Sequence, residues 1–246
     1  MARRVRLMLT CLCDAYFGEV GIATVRVLEA AGCEVVFDAN QTCCGQPPFN
    51  SGDWPAARQV ANHCRQTLFS GEQLPVITPS GSCAAMVREG YPLIFADDSH
   101  LPCFEVGEFL VKELGIQSWP PEGHPAKQKE LKVAFHRACH GRGIGLKDEQ
   151  ETLLGSIPGV QLLPFEQAEQ CCGFGGAFSA NHPMISAQVG LEKIRNIQAS
   201  GAEVIASGDM GCLMHLRGLI QRQNLALRTV HYVELLAEAL GQEVAV

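Results

Sequence analysis

Eight cysteines of the 246-residue chain fall into two sets of four with one spacing. The first set opens with Cys11 and continues at Cys43-Cys44-Gly45, and the second opens with Cys139 and continues at Cys171-Cys172-Gly173. One constant offset carries each of these positions in the first set onto its counterpart in the second. The fourth cysteines, Cys83 and Cys212, follow their glycines at matching distances, apart from a single inserted position in the second set. Chance does not readily supply four matched cysteines and a matched glycine, so the chain contains an internal repeat. Four soft thiolates are the usual protein ligands of a [4Fe–4S] cluster, which has four irons to hold. The count predicts two such clusters, one per repeat. Gly45 and Gly173 join the prediction as cofactor-binding positions. Without a Cβ, a glycine lets the backbone turn sharply and brings N–H groups close to anionic sulfur.

Zinc is the main competing ion. Zinc knuckles and thioredoxin-type dithiols both use Cys-x2-Cys, and the chain has none. Cys33, Cys64 and Cys103 have no cysteine counterpart in the other repeat and read as small buried hydrophobes. Cys13 stands two positions after a predicted ligand and is a candidate for an extra one. The stretch His136-Arg-Ala-Cys-His-Gly-Arg142 surrounds Cys139. His136, His140 and Arg142 are candidates for binding a carboxylate or moving a proton. Their competing reading is that they cap a turn. Gly141, Gly143 and Gly145 do not complete a dinucleotide fingerprint, since Leu146 stands where the third glycine belongs.

The elements that must position these side chains also repeat. Short apolar runs predict strands at Val5–Thr10, Glu34–Phe37, Val76–Thr78, Leu131–His136, Gln161–Leu163 and Val204–Ala206. A helix from Asp53 places Trp54, Ala57, Ala61, Cys64 and Leu68 on one face. Its counterpart has Asn181 as N-cap and Met184, Ala187, Leu191 and Ile194 on one face. Closing helices at Val106–Leu114 and Tyr232–Leu240 end at Gly115 and Gly241, as C-caps do. Strands alternating with helices predict an α/β fold of two pseudo-twofold-related lobes, each a small parallel sheet flanked by helices. The lobes span 1–116 and 130–246. The Pro- and Gly-rich stretch Gln117–Lys129 between them reads as a linker. Ligand sites gather at the carboxyl ends of such strands, where each set of cysteines is expected to converge.

A net charge of −7 without a basic run argues against nucleic acid and anionic membranes as partners. No apolar run reaches the length of a membrane span, so direct membrane insertion is not expected. The chain reads as cytoplasmic.

The doubled pattern, with Cys43-Cys-Gly-Gln-Pro-Pro-Phe-Asn-Ser-Gly52 and Cys171-Cys-Gly-Phe-Gly-Gly176, resembles the Cys-Cys-Gly (cysteine-rich) domain family of iron–sulfur oxidoreductases, most of all its short lactate-utilisation branch. That resemblance implies an electron-transfer subunit of an oxidoreductase complex oxidising L-lactate to pyruvate. It also implies two partner proteins, one with ferredoxin-type clusters, and allows a small organic acid as substrate. The disulfide-reducing branch ends each repeat in Cys-x2-Cys. Here the first of those positions is Ser80 or Asp209, which weakens the alternative of a thiol–disulfide reductase module resembling heterodisulfide reductase. A non-catalytic metal-stabilised scaffold is the other alternative.

Overall fold

The computed structural model describes residues 2–98, 100–124 and 130–241. Among the described residues, eight strands form two sheets: β1 Arg3–Leu7, β2 Cys33–Phe37, β3 Val76–Thr78 and β4 Cys103–Glu105 in one, and β5 Leu131–His136, β6 Val160–Leu162, β7 Val204–Ser207 and β8 Arg228–His231 in the other. The orders β2-β1-β3-β4 and β6-β5-β7-β8 are the same order repeated. All pairings are parallel, with Leu7 beside Ile77 and Phe135 beside Ala206. This is the expected pair of α/β lobes. The edge strands β4 and β8 escape the sequence reading, because segments as short as Cys-Phe-Glu and Arg-Thr-Val-His show neither an apolar run nor a sustained alternation.

The helix Trp54–Phe69 starts as expected, with Asp53 accepting from the Ala56 N–H, and buries Ala57, Ala61, Cys64 and Leu68. Trp54 remains 44% exposed at its start. Its counterpart, Pro183–Ala199, has His182, not Asn181, at its N-cap position, with no side-chain cap hydrogen bond, and is rotated from the predicted face. It buries Ser186, Gly190, Lys193, Ile194 and Ile197, while Met184 is 76% exposed. Small residues turn inward because the Cys-Cys-Gly turn lies directly against them: a Cβ on Gly173 would sit 2.4 Å from the Ser186 carbonyl oxygen.

The largest core draws on both halves of the chain. The closing helix Tyr232–Ala239 of the second half packs on Gly18–Ala30 of the first. Reciprocally, Val106–Glu108, continued by a π-helical turn Phe109–Glu113, packs near Glu149–Gly155 of the second half. Trp119, in the stretch between the halves, is buried, and its Nε1–H donates to Leu236 O at 2.7 Å. Residues 125–129 of that stretch lie outside the described residues.

Two buried N-caps at corresponding places seal the seam. Glu105 precedes the first closing helix, accepts from the Gly107 and Glu108 N–H groups, and receives the Tyr232 hydroxyl at 2.6 Å. His231 precedes the second, and its Nε2 lies 2.9 Å from Pro79 O. Burial pushes the Glu105 carboxyl up from its ordinary 4.5 to about 7 and the His231 imidazole down from 6.5 to about 4. Between pH 4.5 and 7 the folded state keeps a proton on Glu105 that the unfolded chain releases, so this group's stabilisation is lost as pH rises. Between pH 6.5 and 4 the unfolded chain protonates His231 while the folded state does not, so this group's stabilisation is lost as pH falls. The two slopes oppose one another. Relative to the native chain, Glu105→Gln should therefore gain roughly 3 kcal/mol from pH 4.5 to 7, and His231→Gln should lose a similar amount from pH 4 to 6.5. Urea unfolding at a series of pH values measures both, and differences independent of pH would refute the assignment.

Candidate metal centre

In each half, three strand-to-helix junctions bring four cysteines together. Cys11 and Cys139 open the short helices Cys11–Tyr16 and Cys139–Gly143 that follow β1 and β5. Cys83 and Cys212 sit in the first turns of Gly81–Ala85 and Met210–Arg222, after β3 and β7. Ser80 and Asp209, which occupy the positions of the absent fifth cysteine, cap these two helices. The Ser80 hydroxyl accepts from the Cys83 N–H at 3.2 Å. The Asp209 carboxylate accepts from the Gly211 and Cys212 N–H groups and, across the seam, from the Ser82 N–H at 3.0 Å. Cys43-Cys44 and Cys171-Cys172 lie on turns ended by Gly45 and Gly173, whose φ angles of 90° and 91° need glycine.

The sulfurs face one another. Cys11 Sγ lies 3.5 Å from Cys43 Sγ, Cys44 Sγ 3.5 Å from Cys83 Sγ, and Cys172 Sγ 3.0 Å from Cys212 Sγ. Backbone N–H groups also point at sulfur: Gly45 to Cys43, Gly173 to Cys171 at 3.3 Å, and Phe174 to Cys172. The thiols of Cys11 and Cys44, with the Gly45 and Gln46 N–H groups, hold the Cys43 thiol down at about 3. Donation from Cys139 and Cys172 likewise pulls Cys171 far below the ordinary range, while Cys11, Cys44, Cys139 and Cys172 are pushed up. Each set thus has a ready thiolate surrounded by sulfur, a donor arrangement that fits a soft-metal or iron–sulfur group.

All eight repeat-matched cysteines line one cavity of about 310 Å³ between the halves, with Gln46, Asn50, Ser80, His140 and Asp209 among its walls. The four unmatched cysteines do not line it. Cys13 is buried and turns away, its thiol donating to Phe17 O at 3.3 Å. Cys33, Cys64 and Cys103 are buried in the cores.

The three polar candidates near Cys139 separate. His140 lines the cavity, its Nδ1 3.9 Å from Cys139 Sγ. Arg142 turns to Glu169, donating to its backbone oxygen at 2.7 Å. His136 is buried behind the second set, with neither ring nitrogen hydrogen-bonded, and one of them lies within 4.8 Å of the sulfurs of Cys172 and Cys212. Burial lowers its pKa to about 3. Lys193, which sequence reasoning missed, is buried nearby and donates to Ala168 O at 3.1 Å. Its only sequence signal is a cation where the repeat partner, Cys64, is neutral.

The family model for the CCG cysteine-rich domain matches residues 5–88 and again 133–217, which together cover both cysteine sets. The chain belongs to the cysteine-rich domain family. Within that family it is similar to "Lactate utilization protein A" of Exiguobacterium sp. (strain ATCC BAA-1283 / AT1b), 38% identical over 97% of this chain and 98% of that protein. "Lactate utilization protein A 2" of Bacillus cereus (strain Q1) is 37% identical over 97% of this chain and 100% of that protein. Among solved structures, a hypothetical protein from Helicobacter pylori aligns with 98% of this chain and 49% of its own at a TM-score of 0.59 and 10% identity, a likeness of fold alone. No helix among the described residues of this cysteine-rich domain protein is long and apolar enough to cross a membrane.

Proposed function

We propose that this protein is the iron–sulfur electron-transfer subunit of a cytoplasmic complex that oxidises L-lactate to pyruvate. One observation carries the reading: the eight repeat-matched cysteines, and none of the other four, line a single cavity. Cys11, Cys43, Cys44 and Cys83 would hold one [4Fe–4S] cluster, and Cys139, Cys171, Cys172 and Cys212 the other. Bound there, such clusters supply one-electron transfer. Gly45 and Gly173 let their backbone N–H groups approach the thiolates of Cys43 and Cys171 and so favour the charged ligands. His140, the only one of the three polar candidates on the cavity wall, would hydrogen-bond a small organic acid or pass a proton at its imidazole, with Arg142 on Glu169 and His136 beside Cys172 and Cys212 supporting it from off that wall. The names of the relatives support the lactate assignment. The chemistry on lactate itself falls to two partner proteins, one carrying ferredoxin-type clusters.

Anaerobically reconstituted protein should contain about eight irons and as much acid-labile sulfide per chain. Chemical iron and sulfide analysis tests this. Stoichiometric zinc without sulfide would instead identify a metal-stabilised scaffold.

A further inference from the structure

The repeat makes the two cysteine sets alike, but what lies behind them differs. Ala57 and Ala61 lie under Gly45 as Ser186 and Gly190 lie under Gly173. The register that pairs Ala57 with Ser186 and Ala61 with Gly190 pairs Cys64 with Lys193. At the ends of β1 and β5, the offset that relates Cys11 to Cys139 relates Met8 to His136. All four side chains, Met8, Cys64, His136 and Lys193, are buried. The first set therefore rests on a thioether and a thiol. The second rests on an amine and an imidazole.

Both second-half groups are buried in the half that holds these sulfurs, and His136 reaches them directly. His136 has a ring nitrogen within 4.8 Å of the sulfurs of Cys172 and Cys212, and neither of its nitrogens has another partner. Lys193 spends its hydrogen bonds on Ala168 O and Gln167 O, at 3.1 and 3.5 Å, and stands over the Phe165 ring. Its ammonium acts electrostatically on Cys171, Cys172 and Cys212. Burial lowers its pKa only to about 8, which leaves it charged at neutral pH. Asp209, opposite Ser80, is a charge of the other sign on the same cavity wall, and its carboxylate is partly neutralised by the three N–H groups from which it accepts.

A metal–sulfur group gains negative charge when it is reduced. A buried cation and an N–H donor beside its ligands stabilise the reduced form, and hydrogen bonds to sulfur and local charge are what set such potentials. We propose that Lys193 and His136 are positioning residues that raise the reduction potential of the group held by Cys139, Cys171, Cys172 and Cys212, a tuning that the first set lacks. This rests on the reading that each set holds an iron–sulfur cluster. The step they bias is one electron added to that group, with no bond formed and no proton moved.

The test is a redox titration of the reconstituted full-length protein followed by electron paramagnetic resonance, with iron counted on the same samples. Lys193→Met should weaken reduction of one of the two centres at least tenfold, a downward shift of about 59 mV for one electron, and leave the other unchanged. His136→Met, which installs the first half's side chain, should move the same signal the same way. Lys193→Arg should restore it, and Asp209→Asn should move it upward. Potentials that stay put in Lys193→Met and His136→Met at full iron content would overturn the inference. A native protein without iron would instead fail the proposed function, before any potential is measured.

Discussion

Replacing Cys171 with serine should cut the iron content from about eight per chain to about four, while Cys64→Ala should leave it intact. Cys171 is the low-pKa thiolate of the second set, the acceptor for the thiols of Cys139 and Cys172 and for the Gly173 N–H. A serine hydroxyl does not ionise there at neutral pH, so one iron would be left open to water and oxygen. Metal binding of this kind is coupled to local folding, and the variant should also lose one of two paramagnetic signals. Cys64 is fully buried on the helix Trp54–Phe69, outside the cavity. Its loss removes one small packed sulfur and should cost on the order of 1 kcal/mol. Cys43→Ser against Cys33→Ala should give the same contrast in the first half. Iron lost from Cys64→Ala or Cys33→Ala but kept in both serine variants would show that the ligand sets are wrong.

Alanine at Gly173 should be far more damaging than alanine at Gly45, although the two glycines share a motif and a backbone angle. Each has a φ near 90°, and a Cβ in left-handed backbone costs about 1–2 kcal/mol. At Gly45 the steric addition is the smaller of the two: the added carbon would lie 3.1 Å from Ala57 O and 3.4 Å from Ala61 N, tight contacts relieved by a small shift of the helix. At Gly173 the carbon would lie 2.4 Å from Ser186 O, a backbone atom. The close approach has a cause: the Ser186 hydroxyl donates to Gly173 O at 2.8 Å and draws the helix onto the turn, which Ala57 has no means of doing. Gly173→Ala must displace either the helix Pro183–Ala199 or the turn carrying Cys171 and Cys172. It should cost more than ~4 kcal/mol, the range reserved for severe core disruption, and lose the second centre's iron. Gly45→Ala should keep its iron. Urea unfolding with iron analysis separates them, and equal losses in the two variants would refute the argument.

Much of this architecture is legible in the sequence because the repeat is covalent information. Once Cys11 and Cys139 are aligned, the offset carries the strands, the glycine turns and the cavity-lining cysteines with it. What escapes is set by contacts between distant segments. The inward face of Pro183–Ala199 is built from Ser186 and Gly190, whose value lies in their smallness against the Gly173 turn, so hydrophobic periodicity selects Met184 instead. Asp209 looks like a lost ligand, yet its carboxylate caps a helix and reaches across the seam to the Ser82 N–H. Lys193 lies outside the predicted apolar face of its helix, and only the packing buries it and sets its ammonium against the Ala168 carbonyl. The exchange of closing helices has no local signature, since either helix is amphipathic whichever half it covers.

That exchange has a consequence for how the molecule is put together. A polypeptide holding one half alone would leave bare the apolar surface that the other half's closing helix covers, and two copies about a twofold axis would cover it for one another. The protein is in effect a homodimer tied into a single chain. The tie fixes a stoichiometry of one to one at any concentration. It also permits what a true homodimer forbids: the two equivalent positions need not carry the same residue. Met8 and Cys64 on one side, with His136 and Lys193 on the other, are divergence of that kind, open only to a chain that encodes each subunit separately.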